Sequence, residues 1–543
     1  MAQFGRLWRT VRWLKAEQVF GRMGLRLHRR CHDLSAAPPA RAALGGWVAT
    51  PTREVSLTGP TRLCFLAEEH DLTEVGWDSP GIALLWRYNQ HYFDDLNAAG
   101  APLRRDWHRA MVERWVADNP PVRGTAWAPY PVSLRIVNWV KWFVGGEAPA
   151  PTWVHSLAVQ ARWLMRRIEW NLLGNHLFAN AKALVFAGLY FEGAEAEAWL
   201  AKGIRIIERE LPEQILPDGA QFERTPMYHA LALEDLLDLI NVIVARAPAA
   251  SAAQRLVPEL RRHSQAMLHW LRCMQHPGGT LARFNDCAEG VAPATADLER
   301  YAAALGVTAP AASGEGVKVM QPSGYVRAVR GAAVALLDLA PIGPDYLPGH
   351  AHADTLSFEL SVHGREVVVN RGTSVYGTGQ RRQLERGTAA HSTVQVGAHD
   401  SSEVWAGFRV GRRARPGPLK AQGWVVEGSH DGYTHLPGSP RHERRWQLDA
   451  IALVVEDRLN PPAREGAVAR FHLAPGLTLD REDERTWRVH DGGTFAVRVS
   501  VIAGLPLLES TLHAQRFGTL TEAATLSVQL VDGQSTVCWS WDP

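Results

Sequence analysis

The chain has 543 residues, enough for two or three domains with large cores. A formal charge of +2 supplies no general attraction for nucleic acid, and five scattered cysteines form neither a disulfide framework nor a zinc-finger spacing. No apolar run approaches the roughly twenty residues that cross a bilayer.

Residues 1–74 open with MAQFGRLWRTVRWLKAEQVFGRMGLRLHRR. Phe4, Leu7, Trp8, Val11 and Leu14 follow helical spacing, and arginines break up the apolar core that a secretory signal needs. The expectation is a basic amphipathic helix that lies on an anionic membrane or packs on its own domain, then a lead-in segment. Without a clear signal peptide, the expected location is the cytoplasm or the inner membrane, with the periplasm as the alternative.

From 75 to 305, helix follows helix. Segments 82–96, 105–118, 131–144, 152–171, 177–191, 194–211, 227–245 and 252–275 carry apolar residues three and four apart. Pro and Gly mark the breaks, as at Pro217-Asp218-Gly219 and Pro277-Gly278-Gly279. Such a series stacks as a solenoid or curls into a toroid, and the lack of a strict repeat favours the toroid. Most of the 21 tryptophans are expected in the core, and the rest on sugar faces.

Three polar clusters interrupt these helices. Trp86-Arg87-Tyr88-Asn89-Gln90-His91-Tyr92 reads as a carbohydrate-contacting wall or a structural hydrogen-bond network. Its candidate substrate contacts are Tyr88, Asn89 and His91. Asn175 and His176 stand at a helix start, where Asn175 is a natural N-cap, a role that leaves His176 unexplained. The third cluster runs from Asp218 to His229. Thr225 before Pro226 marks a helix start, which puts Tyr228 and His229 in the first turn. The positive helix end there favours the phenolate of Tyr228.

Residues 306–320 are small and Pro/Gly-bearing, as in a linker. From 321 to 543, short strands between turn residues point to a large antiparallel β-sandwich. The expected fold class is α+β multidomain, with a ligand cleft between the halves. Leu356, Phe358, Leu360 and Val362 alternate with Thr355, Ser357, Glu359 and Ser361, the period of a half-buried strand. His350 and His352 lie two apart just before it and are expected to project together into one cleft, for metal binding or proton transfer. The duller reading is a pair of surface histidines. His391 opens another strand.

Four motifs carry a family resemblance: Gly174-Asn175-His176 with Asn180, the run from Glu223 to His229, His350-Ala351-His352-Ala353-Asp354, and the run from Arg386 to Val394. In this order they resemble the heparinase II/III-like polysaccharide lyases, which include heparin/heparan-sulfate lyases and alginate lyases. The resemblance runs from about Trp86 to the C-terminal strands. It implies an N-terminal incomplete (α/α) toroid, a C-terminal antiparallel β-sandwich, and β-elimination on a uronic-acid polysaccharide. In that reaction the uronate charge must be masked before a base takes the weakly acidic C5 proton and an acid protonates O4.

By resemblance, Asn175 and His176 mask the carboxylate. Tyr228 acts as base, acid or both, and His350 is a second proton-transfer group. Tyr376 matches a tyrosine-bearing loop of some members. Glu223, His229 and Arg386 fall within the motifs as substrate contacts, and Arg381 and Arg382 flank the last one. The resemblance also implies a structural Zn2+ held by His352, position 370 and His391. Asn370 stands where the family pattern usually has Asp, and its neutral carbonyl oxygen is a poorer zinc ligand.

The expected function is a lyase acting on an acidic polysaccharide or oligosaccharide, within a bacterial capsule or exopolysaccharide pathway. Two alternatives stand beside it: an inactive glycan-binding protein, and a glycoside hydrolase using carboxylates such as Glu223 and Asp286.

Overall fold

The computed structural model describes residues 2–27, 32–308, 310 and 314–543. Residues 1 and 28–31 of the expected N-terminal segment, and 309 and 311–313 of the expected linker, lie outside the described residues. Two short helices, Ala2–Val11 and Ala16–Leu27, come first. A small hairpin, Arg62–Phe65 with Glu68–Asp71, precedes the helical half.

The Gly174–Tyr190 helix is the centre of that half. Fifteen of its 17 residues are buried, so it needs neighbours on every side. It packs against Pro129–Val144, Ala194–Gln214 and Pro226–Arg246. Glycine sets the closest of these approaches. A Cβ on Gly188 would meet the Leu200 nitrogen at 2.7 Å, and one on Gly203 would meet the Ala181 oxygen at 2.8 Å. Both obstacles are backbone, so a larger residue would force the helices apart. Trp86, Trp115, Trp139 and Trp270 are fully buried here, which makes them core residues rather than sugar platforms.

Segment 82–96 is not one helix. It divides into Leu84–Asn89 and a 3-10 turn, Asp94–Asn97, with Phe93 between them at φ +62°.

The last helix of this half ends at Ala304 and the first strand of the next begins at Gly316. The strands build a nine-stranded and an eight-stranded sheet. Their shared core holds Phe358 and Phe471 from one sheet, and Trp446 and Trp539 from the other. Sheets packed this way bury alternate residues of each strand.

Phe358–Val362 departs from the half-buried expectation, because both of its faces are covered. Helical-half residues cap the polar face. His276 Nε2 lies 2.7 Å from Glu359 Oε2, and its Nδ1 lies 2.8 Å from Ser361 Oγ. The polar alternation thus marks an interface between the halves rather than solvent. Leu356 sits outside the strand at φ +65°. His391 follows a 3-10 turn, and the strand after it starts only at Val394.

Candidate active site

A cavity of about 460 Å³ opens between the two halves. Asn89, Tyr130, Asn175 and Tyr228 line it from the helical side, and Tyr376 and Phe517 from the β side.

Pro226 starts the helix that presents Tyr228. Thr225 holds the N-cap position, but its hydroxyl donates to the Asp286 carbonyl at 2.8 Å instead of capping. The Tyr228 ring stacks on His350, with centroids 3.8 Å apart and planes 18° apart. Its hydroxyl lies 2.9 Å from that of Tyr376. His350 Nδ1 is 2.5 Å from Glu223 Oε2. An ionised carboxylate only accepts hydrogen bonds, so a neutral imidazole paired with it carries its proton on Nδ1 and its lone pair on Nε2. Burial holds the Tyr228 phenol well above its ordinary pKa, and the adjacent Tyr376 adds to this. Burial therefore outweighs the helix end, and the expected phenolate gives way to a protonated phenol.

Asn175 is not an N-cap. Leu173 holds that position at φ +66°, and Asn175 is the second residue of the helix, facing the cavity. His176 Nδ1 lies 3.2 Å from Glu169 Oε1, and its ring is 4.5 Å from Tyr130. Asn180 fixes Glu169: its Nδ2 donates to Oε2 at 3.1 Å, and its Oδ1 accepts the Glu169 N–H at 2.8 Å. Burial disfavours a His176 cation, but the charge and hydrogen bond of Glu169 outweigh it and raise the pKa. Glu169 escaped the sequence reading. Its signal was a carboxylate seven residues before His176.

Several expected substrate contacts are sealed inside the protein. His91 is fully buried, held by the Trp115 indole and the Thr125 hydroxyl at 3.2 Å each. His229 Nδ1 accepts the Gln221 N–H at 3.1 Å, and Nε2 donates to the Met267 carbonyl at 2.9 Å. The Arg386 guanidinium is committed to the Ala351 and Ala406 carbonyls. Glu223 serves His350 rather than the open cleft. In the first cluster Asn89 lines the cavity, and Tyr88 is half-buried outside the lining. Polar residues in these runs satisfy the protein's own hydrogen bonds, a use that residue type does not distinguish from ligand contact. Arg381 pairs with Glu385 at 2.9 Å.

His350 and His352 do not project together, because neither lies on a strand. His352 points into a buried network. Its Nε2 lies 2.8 Å from Asp286 Oδ1, and Arg382 clasps both Asp286 oxygens. This spends the Asp286 carboxylate, so the Glu223–Asp286 pair of a hydrolase is not available. The other His352 nitrogen, Nδ1, faces His391 Nε2 at 3.2 Å. Asn370 Oδ1 already accepts the Ser392 N–H at 3.0 Å. Among the described residues, no group of three or more His, Cys, Asp or Glu is placed to hold a metal. The expected donors do not fit zinc: two imidazoles face each other, the amide oxygen is occupied, and the nearest carboxylate is held by an arginine.

Comparison with known proteins agrees with this architecture. The family model described as Heparinase II/III N-terminus matches residues 101–304, and Heparinase II/III-like, C-terminal matches residues 312–542. A heparin-sulfate lyase of Pedobacter heparinus is 25% identical over 323 residues, which is 54% of this chain and 46% of that protein. FtsZ-localized protein C of Caulobacter vibrioides is 26% identical over 388 residues, 65% of this chain and 60% of that protein. The chain thus spans about half the length of these curated relatives. Among solved structures, a mutant of the heparan sulfate lyase HepC from Pedobacter heparinus superposes with a TM-score of 0.58 at 18% identity, covering 88% of this chain and 80% of that one. At that identity the likeness shows the fold, a helical half followed by antiparallel sheets. With both family models matched in order across most of its length, the chain belongs to the heparinase II/III-like family.

Proposed function

We propose that the protein is a polysaccharide lyase that cleaves a uronic-acid-containing chain by β-elimination. The observation that carries this reading is the Tyr228–His350 stack at a cleft that also holds Asn175. Relatives named heparin-sulfate lyase support the reaction class.

Asn175 and a cationic His176 take the uronate carboxylate and draw charge away from C5. His350 Nε2 removes the C5 proton, and Glu223 stabilises the imidazolium that forms. The C5–H electrons become the C4–C5 double bond, and the C4–O4 bond breaks. Tyr228 gives its proton to O4. The imidazolium then returns a proton to the phenolate stacked on it, which restores both groups. An inactive glycan-binding protein has no use for a buried carboxylate behind His350.

The lining favours a weakly sulfated chain. Its cations are already paired: Arg53 with Glu234 at 2.6 Å, Lys141 with Asp238 at 2.6 Å, Lys182 with Asp235 at 2.7 Å and Arg516 with Glu54 at 2.6 Å. A sulfate there would have to displace a carboxylate. We place the enzyme in a capsule or exopolysaccharide pathway at the inner membrane, on its cytoplasmic or its periplasmic side.

Product mass tests the reaction. Elimination splits the chain without adding water, and hydrolysis adds one water per cut. Fragments that carry the extra water would overturn the proposal.

A further inference from the structure

The two N-terminal helices dock with their polar faces inward. In Ala2–Val11, Arg9 forks onto Glu403 at 2.8 and 3.0 Å, and Thr10 Oγ1 accepts the Trp405 indole N–H at 3.1 Å. The Arg6 guanidinium lies over the Trp405 ring, 4.8 Å from its centre. Beyond the turn, Lys15 pairs with Glu213 at 2.6 Å, and buried Gln18 donates to the Tyr346 carbonyl at 3.2 Å. In Ala16–Leu27, Gly21 lies flat on the Trp170–Asn171 backbone. The helices therefore clamp onto both halves of the protein through polar and glycine contacts.

The apolar faces are left to solvent. Phe4, Leu7, Trp8 and Val11 recur at i, i+3, i+4 and i+7, so they share one face, and all four are exposed. Phe4 is 78% and Trp8 60% exposed. The second helix continues the pattern with Val19, Phe20 and Met23, Phe20 being 68% exposed. An amphipathic helix that served only to pack on its own domain would bury this face. The expectation that it packs on its own domain is met only by the polar side.

Charge selects the occupant. The first 30 residues hold eight of the chain's 58 Lys and Arg but only one of its 56 Asp and Glu. Arg12 and Arg22 are exposed beside the apolar residues. Aromatic and aliphatic side chains flanked by arginines match the acyl–headgroup boundary of an anionic bilayer. At 10 and 12 residues the helices are too short to span it, and no helix of the described residues is long and apolar enough to cross a membrane.

We propose that these helices form a peripheral membrane-docking surface for anionic phospholipid, with Phe4, Trp8 and Phe20 inserted and Arg12 and Arg22 on the headgroups. The surface adjoins the cleft. The loop that carries Glu403 and Trp405 also carries Phe408, whose ring lies 5.2 Å from Tyr376 and 6.2 Å from His350. A docked molecule would hold its active site close to the bilayer, within reach of a glycan displayed there.

The test is vesicle flotation of the full chain, with phosphatidylcholine alone or mixed with phosphatidylglycerol. Binding is expected only with phosphatidylglycerol and should weaken with salt. The variant F4E/W8E/F20E should lose at least tenfold in bound fraction, and R12E/R22E should lose a similar amount. Both should keep the wild-type melting temperature and solution activity. Failure of the wild type to float with phosphatidylglycerol would overturn the proposal. So would flotation that the apolar-to-glutamate changes leave intact. A wild-type dimer that F4E/W8E/F20E converts to monomer, without lipid binding, would assign the face to a second copy of the chain instead. None of these outcomes depends on the elimination reaction.

Discussion

Tyr228 and His350 lie face to face, 3.8 Å between ring centres, with a phenol that burial keeps protonated on one and Nδ1 turned to the Glu223 carboxyl on the other. In the proposed mechanism acid and base thus reach the substrate from one side. That suits syn elimination, in which the C5 proton and O4 leave from the same face of the sugar. D-glucuronate presents them so; its C5 epimer, L-iduronate, does not.

The first prediction concerns the substrate. Unsulfated glucuronate polymers should be cleaved with the highest kcat/KM. Iduronate-rich polymers should be poorer, and heavily sulfated ones poorer by about tenfold or more, equivalent to about 1.4 kcal/mol. Initial rates on matched sulfated and unsulfated chains measure this. A preference for the sulfated member of each pair would contradict the reading of the paired cations.

Glu223→Gln should lower kcat by about 10²–10⁴-fold, because the imidazolium loses its counter-charge and Nδ1 its fixed proton. KM should hold, since Glu223 faces His350 rather than the substrate. A variant that changes KM alone would make Glu223 a substrate contact.

In the proposed mechanism His176 sets a pH limit. It must be cationic to mask the uronate, so kcat/KM should fall as pH rises through its raised pKa. Glu169→Gln removes the charge that raises it, and this alkaline limb should move to lower pH. The same shift bears on folding. The folded value lies above the unfolded one, so the stabilisation is complete below about pH 6.5 and is lost as pH rises through the folded value. A pH–rate profile that the substitution leaves in place would rule out Glu169 as the tuning group.

Chelation should change neither activity nor melting temperature, since Asn370 Oδ1 is taken by the Ser392 N–H and the carboxylate nearest His352, Asp286, is held by Arg382. Asn370→Asp adds the missing charge and should make the melting temperature rise with zinc. A wild-type melting temperature that drops on dialysis against a chelator would show that the site binds metal as it stands.

The order of helices and strands was legible because both periodicities are strong: the Gly174–Tyr190 and Pro226–Arg246 helices and the β half follow from apolar spacing and turn residues. Long-range pairing was not legible. Nothing local distinguishes His350, stacked on the cavity-lining Tyr228, from His352 two residues on, which is buried against Asp286. The side chains diverge because the segment is a loop fixed by partners 66 and 127 residues away. His229 and Arg386 look like ligand contacts by type, yet they close hydrogen bonds to backbone. Glu169 was missed for the converse reason: its role exists only once Asn180 turns it toward His176. The N-terminal face was visible as a pattern, but its outward orientation depends on Glu403 and Trp405, some four hundred residues away.

The most direct test of the central claim is ultraviolet absorbance during reaction with an unsulfated glucuronate polymer, comparing wild type with Tyr228→Phe. Elimination creates a C4–C5 double bond conjugated to the carboxylate, which absorbs; hydrolysis creates none. The account predicts a steady rise in absorbance for the wild type and a rate lower by about 10²–10⁴-fold in the variant, with an unchanged melting curve. Cleavage without that absorbance, or an undiminished rise in Tyr228→Phe, would contradict it.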